Sequence, residues 1–148
     1  MQYLFIYFFK LVGIVKPVSD YFEKQGYTLR YEIRIGFCRA DIVAFKNDTV
    51  VGVELKICDW KKAIIQAKNY QLGCDYIFLA FPHSKISNVL YKTEQIFREE
   101  GLGLLAVDEK NFDVKKIIEA KQSSKKMGSV SLDYINRRMF SVSRYKFL

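Results

Sequence analysis

Two carboxylates and an amine lie close together in the segment Arg39–Ile57, which reads RADIVAFKNDTVVGVELKI. The composition predicts two strands of β-branched and aromatic residues, joined at a polar tip centred on Asn47-Asp48. If this dipeptide is a two-residue hairpin loop, the pairing places Asp41 opposite Glu54. Because strand side chains alternate between faces, Lys56 joins both acids on one face.

Like charges placed directly opposite each other destabilise a sheet, so this pair calls for a compensating charge. A divalent cation such as Mg²⁺ is the simplest one, because it takes carboxylate oxygens together with waters and phosphate oxygens. Lys56 beside it could steer an attacking water or offset charge on a phosphate. The alternative is a charged solvent face on an ordinary hairpin, with Lys56 neutralising one acid.

The flanking sequence predicts alternating strands and helices around this hairpin. Lys16-Pro17 marks a helix start, and Gly26 follows its end. Asp59 is a plausible N-cap for the helix after the hairpin. The predicted elements are a helix at Val18–Gln25, a strand at Tyr27–Ile35, a helix at Trp60–Leu72, a strand at Asp75–Phe81, a helix at Ser87–Glu100, a strand at Leu102–Val107 and an edge strand at Phe112–Ala120.

The first predicted strand alternates strictly in polarity, which predicts one buried and one polar face. Its apolar positions are Leu29, Tyr31, Ile33 and Ile35, and its polar ones Arg30, Glu32 and Arg34. The later βαβ alternation indicates a parallel part of the sheet with right-handed crossovers.

In its order of elements and its D…ExK hairpin, the stretch Val18–Asp108 resembles the PD-(D/E)xK nuclease superfamily. Asp41, the run Glu54-Leu55-Lys56, and Gln66 with Tyr70 on the following helix carry the resemblance. It implies a restriction-endonuclease-like α/β fold, a three-layer α/β/α core with a mixed central sheet. It also implies a metal-dependent nuclease.

The resemblance also implies roles for these residues. Asp41 and Glu54 would bind Mg²⁺, for which Mn²⁺ could substitute, together with the backbone carbonyl of Leu55. Lys56 would position or activate the water nucleophile, and Gln66 would support the site or touch the phosphate backbone. The auxiliary candidates are Glu32 and Tyr70.

Two positions depart from the superfamily pattern. Ala40 stands where the superfamily name has proline. Lys16 or Pro17 falls where the related archaeal Holliday junction resolvases carry an acid, which speaks against a resolvase assignment.

The charge of the chain is concentrated near its end. Of its net +8, residues 110–148 contribute +7, from ten Lys/Arg and three Asp/Glu. This favours a nucleic-acid backbone as partner, the alternatives being a solubilising tail or an anionic membrane. We predict one nuclease-like domain over residues 1–120 and a basic extension over 121–148, with a linker or mobile loop at 121–131 and a short amphipathic helix at 132–148.

Three cysteines without CxxC spacing and a single histidine argue against a zinc site and favour reduced thiols in the cytoplasm. The apolar segment at residues 1–15 lacks signal-peptide features and is too short for a membrane span. It predicts a buried helix or strand, or an oligomer contact that would suit a homodimer, with attachment to a membrane surface as a further alternative.

The function predicted from these features is hydrolysis of phosphodiester bonds in DNA, favoured over RNA, by an endonuclease of repair, recombination or defence. The alternative is a non-catalytic nucleic-acid-binding module on the same fold.

Overall fold

The computed structural model describes residues 2–57 and 59–127, with side chains described from residue 13 onward. The predicted helix at residues 132–148 lies outside the described residues. The described part of the chain forms α1 (Gln2–Glu23), β1 (Thr28–Ile35), β2 (Cys38–Lys46), β3 (Thr49–Leu55), α2 (Trp60–Tyr70), β4 (Tyr76–Pro82), α3 (His83–Glu100), β5 (Gly103–Val107) and β6 (Val114–Ile118).

The six strands form one mixed sheet in which the spatial order follows the chain order, β1 to β6. The first three strands form an antiparallel meander, β3, β4 and β5 run parallel, and β6 closes the edge antiparallel to β5. One apolar core lies between the sheet and α1, and another between the sheet and α2 with α3. The predicted α/β/α fold class with a mixed central sheet is therefore confirmed.

Helix α1 is longer than predicted, because it continues through Pro17 instead of starting there. A proline inside a helix removes one backbone hydrogen bond and costs about 3 kcal/mol. The apolar face Ile14, Val15, Val18 and Phe22 is almost fully buried against the sheet. Burial of such side chains is worth about 1.5–3 kcal/mol each, which exceeds the cost of the proline. None of the described helices is both long and apolar enough to cross a bilayer.

The predicted register of the β2–β3 hairpin is confirmed. Lys46 pairs with Thr49, and the ladder continues inward to Val43 opposite Gly52. Asn47 adopts a left-handed conformation with φ 55°, which Asn tolerates better than most residues and which a tight turn uses.

The predicted strict alternation along β1 is wrong, because the strand changes faces at Glu32. Leu29 and Tyr31 pack with the core under α1, whereas Ile33 and Ile35 pack with the core under α2 and α3. Glu32 has a φ of 55°, and the pairing of β1 with β2 skips this position. One residue in the left-handed region therefore moves the rest of the strand to the opposite face.

After β6, residues 121–127 have no regular secondary structure, yet they are bonded to the body of the domain. We call them the strap. The Lys126 ammonium lies 3.0 Å from an Asp75 carboxylate oxygen, and the Met127 amide donates to the Leu72 carbonyl at 2.8 Å. Residues 121–127 are thus anchored beside the start of β4, unlike the predicted linker or mobile loop, and residues 128–131 of that prediction lie outside the described residues.

Candidate active site

Asp41 lies where β2 and β3 separate. The pairing of the two strands ends at Ile42 opposite Val53, one residue short of the predicted Asp41–Glu54 pair. Beyond it, the Leu55 amide donates to Asp41 Oδ2 at 2.7 Å instead of to the backbone of β2. The carboxylate therefore fills the opening between the strands, and Asp41 is half-buried there.

Glu54 is buried beside it, with 3% of its surface exposed. Its Oε2 lies 2.9 Å from the hydroxyl of Tyr70 on α2, and the same hydroxyl lies 2.7 Å from the Arg39 carbonyl oxygen. A phenol has a single proton and can donate to only one of these acceptors. The hydroxyl therefore shares its proton between the Glu54 carboxylate and the Arg39 carbonyl.

Lys56 completes the cluster just past the end of β3. Its ammonium lies 3.3 Å from Glu54 Oε1, and its side chain is 15% exposed. Its backbone amide donates to the Ala80 carbonyl of β4 at 2.9 Å, which fixes its position against the sheet. The structure thus brings Asp41, Glu54 and Lys56 together at one opening of the sheet.

Burial dominates the electrostatics of the two acids and raises the pKa of each carboxyl above its ordinary value. Asp41 adds to the rise of the Glu54 pKa, whereas Lys56 and the Tyr70 hydroxyl oppose it. The Leu55 amide opposes the rise of the Asp41 pKa. Burial, followed by the charge of Glu54, also raises the pKa of Tyr70. The site therefore resists holding two negative charges unless a further cation joins Lys56.

The remaining predicted residues are Gln66 and Glu32. Gln66 lies one helical turn before Tyr70, and its buried Oε1 has no hydrogen-bond partner among the described residues. Glu32 lies close enough to Asp41 for its charge to raise the Asp41 pKa. Within residues 2–57 and 59–127, however, no group of three or more Asp, Glu, His or Cys side chains is arranged to hold a metal ion. Glu32 therefore does not complete a three-carboxylate cluster.

The donor chemistry of the cluster fits a hard divalent cation, which prefers oxygen ligands. Asp41 and Glu54 supply two carboxylates whose mutual repulsion a cation would remove. Further oxygen donors are the backbone carbonyl of Leu55, next to Glu54 in β3, and the buried Oε1 of Gln66, one helical turn before Tyr70.

Sequence reasoning missed Asn69, which ties the β1–β2 hairpin to α2. Its side-chain amide donates to the Ile35 carbonyl at 2.6 Å. An asparagine on a helix surface carries no signal of such a contact. Its spacing, one residue before Tyr70 and opposite the end of β1, becomes informative only when the packing of α2 is known.

This chain is similar to known proteins in its fold. No family model matches this sequence, and no curated protein matches it with significance. A protein of unknown function from Silicibacter pomeroyi, SPO1766, superposes with a TM-score of 0.62 at 18% identity, covering 82% of this chain and 78% of that one.

Two further solved structures are similar at 18% identity and a TM-score of 0.54. One is an XisH family protein from Nostoc punctiforme, with 74% of this chain and 98% of that one covered. The other is an fdxN element excision controlling factor protein from Anabaena variabilis, with 71% and 98% covered. This chain shares their fold. The likeness extends over nearly the whole of the two solved proteins and about three quarters of this chain, but at this identity it does not assign an activity.

Proposed function

We propose that this protein is a metal-dependent nuclease that hydrolyses phosphodiester bonds in DNA. The observation that carries the proposal is the cluster itself. Two carboxylates, one of them 3% exposed, meet where two strands separate, with an ammonium 3.3 Å from one of them. Burying two acids side by side is costly, and a structural role would be served better by apolar residues. Binding of a cation and a phosphate would account for the presence of the two buried acids.

In this proposal each side chain has a separate task. Asp41 and Glu54 hold a divalent cation, which when bound supplies Lewis acidity toward the phosphate and the attacking water. Lys56 orients the water and offsets charge that builds on the phosphate. Tyr70 holds the Glu54 carboxylate in place, and Gln66 directs its partnerless oxygen or its amide toward the site.

DNA as the substrate is supported by charge and by the shared fold. The chain carries a net charge of +8, which favours a polyanionic partner. One of the proteins with the same fold is named as an fdxN element excision controlling factor, which agrees with a role connected to a genetic element.

The test is cleavage of supercoiled plasmid and of branched and duplex oligonucleotides in Mg²⁺ or Mn²⁺. We expect Asp41→Asn, Glu54→Gln and Lys56→Met each to lower the rate by about 100-fold or more. Asp48→Asn in the exposed turn between β2 and β3 and Lys92→Met on the exposed side of α3 are matched controls and should retain activity. Equal rates for the site and control variants would refute the assigned roles.

A second candidate is a nucleic-acid-binding module without catalysis. Glu54 already has Lys56 and Tyr70 as partners, so the charge of one carboxylate is compensated without a cation, and no three-ligand group forms among the described residues. Calorimetric titration with Mn²⁺ separates the two candidates. Binding that is lost in Asp41→Asn supports the nuclease, whereas DNA binding without metal uptake or turnover supports the module.

A further inference from the structure

The tip of the β1–β2 hairpin carries two arginines side by side. Arg34 of β1 pairs directly with Arg39 of β2, and both side chains are exposed. Cβ atoms of such a pair lie about 5 Å apart, and like charges in this position repel. No ion pair among the described residues involves either arginine. The Arg34 Nε donates only to the Gly36 carbonyl, at 3.3 Å.

The turn between these arginines carries an aromatic side chain that is exposed to solvent. Phe37 is 92% exposed, the highest value among the exposed large hydrophobic residues of the described chain. Its neighbours in the hairpin, Ile35 and Cys38, point into the core under α2. The tip therefore separates an inward apolar side from an outward side made of one aromatic ring and two guanidinium groups.

The backbone beneath these side chains is fixed. Asn69 donates to the Ile35 carbonyl at 2.6 Å, and the Tyr70 hydroxyl lies 2.7 Å from the Arg39 carbonyl. Gly36 adopts a φ of +59°, and an added Cβ there would lie 2.8 Å from Asn69 Oδ1. The tip is thus clamped to α2 by both of its strands while its outward side chains project into solvent. Such preorganisation lowers the entropic cost of binding.

We propose that this hairpin tip, residues 34–39, is a nucleic-acid-binding element for substrates with unpaired bases. Phe37 stacks on an unpaired base, and the two arginines bind phosphates on either side of it. Aromatic stacking needs an accessible base face, and paired arginines suit a strand of phosphates. Charge complementarity favours a polyanion over an apolar protein surface, since any partner covering Phe37 must also accept both guanidinium groups.

The distance to the candidate active site sets where the unpaired base lies. Phe37 precedes Asp41 by four residues of β2, which is about 13 Å along a strand. Stacked nucleotides advance about 3.4 Å each along one strand, so the base lies about four nucleotides or fewer from the cleaved bond. This part of the inference rests on the proposed nuclease function, whereas binding at the tip does not.

The experiment measures binding of the full chain to labelled DNA in EDTA, where a metal-dependent nuclease cannot cleave. The probes are a blunt duplex, the same duplex with a single-stranded overhang, and the single strand. We expect Phe37→Ala to weaken binding of the overhang and the single strand by about tenfold and to leave the blunt duplex unchanged. Tyr91→Ala, on α3 and 89% exposed, is the matched aromatic control and should bind all probes as wild type does.

Salt titration tests the arginines. For single-stranded DNA, removing two phosphate contacts with Arg34→Ala/Arg39→Ala should make the slope of log K against log salt shallower by about 1.4. A slope equal to that of wild type overturns their role. Equal losses on duplex and overhang in Phe37→Ala, wild-type affinity in that variant, or the absence of DNA binding by the wild-type chain overturns the stacking role. A change in sedimentation of Phe37→Ala from dimer to monomer, with DNA affinity intact, identifies a self-association contact and also overturns it.

Cleavage assays of the same variants keep this inference separate from the proposed function. Cleavage by Phe37→Ala with unchanged preference between duplex and overhang refutes the binding element and leaves the nuclease standing. Binding that depends on Phe37 in a protein that cleaves nothing supports the element and refutes the nuclease.

Discussion

At the scale of single residues, the Asp41 carboxylate accepts the Leu55 amide and lies with Glu54 and Lys56 where β2 and β3 separate. Hairpin spacing predicted that Glu54 would lie near both residues. The sequence did not predict that the Asp41 carboxylate accepts the Leu55 amide proton at 2.7 Å, because alternation rules assume that backbone pairs with backbone. Here a side chain replaces a strand carbonyl. The two strands separate at this point, and both acids lie at the opening.

Tyr70→Phe tests whether the phenol positions Glu54. The hydroxyl opposes the rise of the Glu54 pKa, so its removal should raise that pKa further. We expect kcat to fall by about tenfold and the acidic limb of the pH–rate profile to move to higher pH. The loss of a buried hydrogen bond should cost about 1–2 kcal/mol of stability. Tyr91→Phe on the exposed side of α3 is the control, and an unmoved pH profile in Tyr70→Phe would contradict the positioning role.

The pH dependence of stability follows from the same carboxyl. Burial and the neighbouring Asp41 raise the pKa of Glu54 from 4.5 to about 8. Because the folded chain binds this proton more tightly than the unfolded chain, the metal-free fold loses stability as pH rises from 4.5 to about 8. In thermal melts in EDTA, the Tm of Glu54→Gln should therefore exceed that of wild type by a margin that grows with pH, to about 10 °C.

The second part of this experiment repeats the thermal melts with a divalent cation. Mg²⁺ binding to the folded wild-type protein should reduce the Tm difference at pH 8, because a ligand that binds only the folded state stabilises it. A difference between Glu54→Gln and wild type that stays constant across pH would show that Glu54 titrates normally.

At the scale of elements, local signals predicted most of the architecture. Asn47-Asp48 indicated the hairpin and its register, and Asp59 indicated the start of α2, where its side chain accepts the Lys62 amide at 3.3 Å. Two features could not be predicted locally. Pro17 suggested a helix start, but burial of the α1 face outweighs it. The reversal of β1 at Glu32 depends on one left-handed residue, which polarity patterns do not report.

A pair of glycine variants tests the clamp between the β1–β2 hairpin and α2. Gly36→Ala adds a methyl group 2.8 Å from Asn69 Oδ1 at a φ of +59°, so it should destabilise the fold by about 1–3 kcal/mol. Gly13→Ala in α1 meets nothing within 4 Å and should stabilise it by up to about 1 kcal/mol, because alanine favours helix. Urea denaturation measures both. Equal effects of the two substitutions would show that the tip is not held as described.

At the scale of the whole molecule, the two ends of the sheet have different roles. The candidate active site lies at the end of β3, whereas the strap is bonded near its beginning. Six residues separate Val50 from Lys56, about 20 Å along the strand. The strap lysines Lys125 and Lys126 are paired there with Glu100 and Asp75. Two of the three lysines at the described start of the basic extension are therefore paired away from the site, so the hairpin tip is a better candidate for binding DNA than this region.

Asp75 is the residue through which the strap and the sheet are joined. Its carboxylate accepts the Val50 amide at 2.8 Å and pairs with Lys126 at 3.0 Å, and its own carbonyl accepts the Ser123 amide at 2.7 Å. Asp75→Ala leaves a buried amide and an ammonium without their acceptor, so it should cost about 2–4 kcal/mol. Lys126→Ala leaves the amide contact intact and, being partly exposed, should cost about 1 kcal/mol or less.

Urea denaturation of both variants, with DNA cleavage assayed alongside, checks this order. Because the strap lies at the far end of the sheet, cleavage by the folded fraction should be unaffected in both. If Lys126→Ala destabilised as much as Asp75→Ala, the ion pair rather than the Val50 amide contact would account for the stabilising effect of the Asp75 carboxylate.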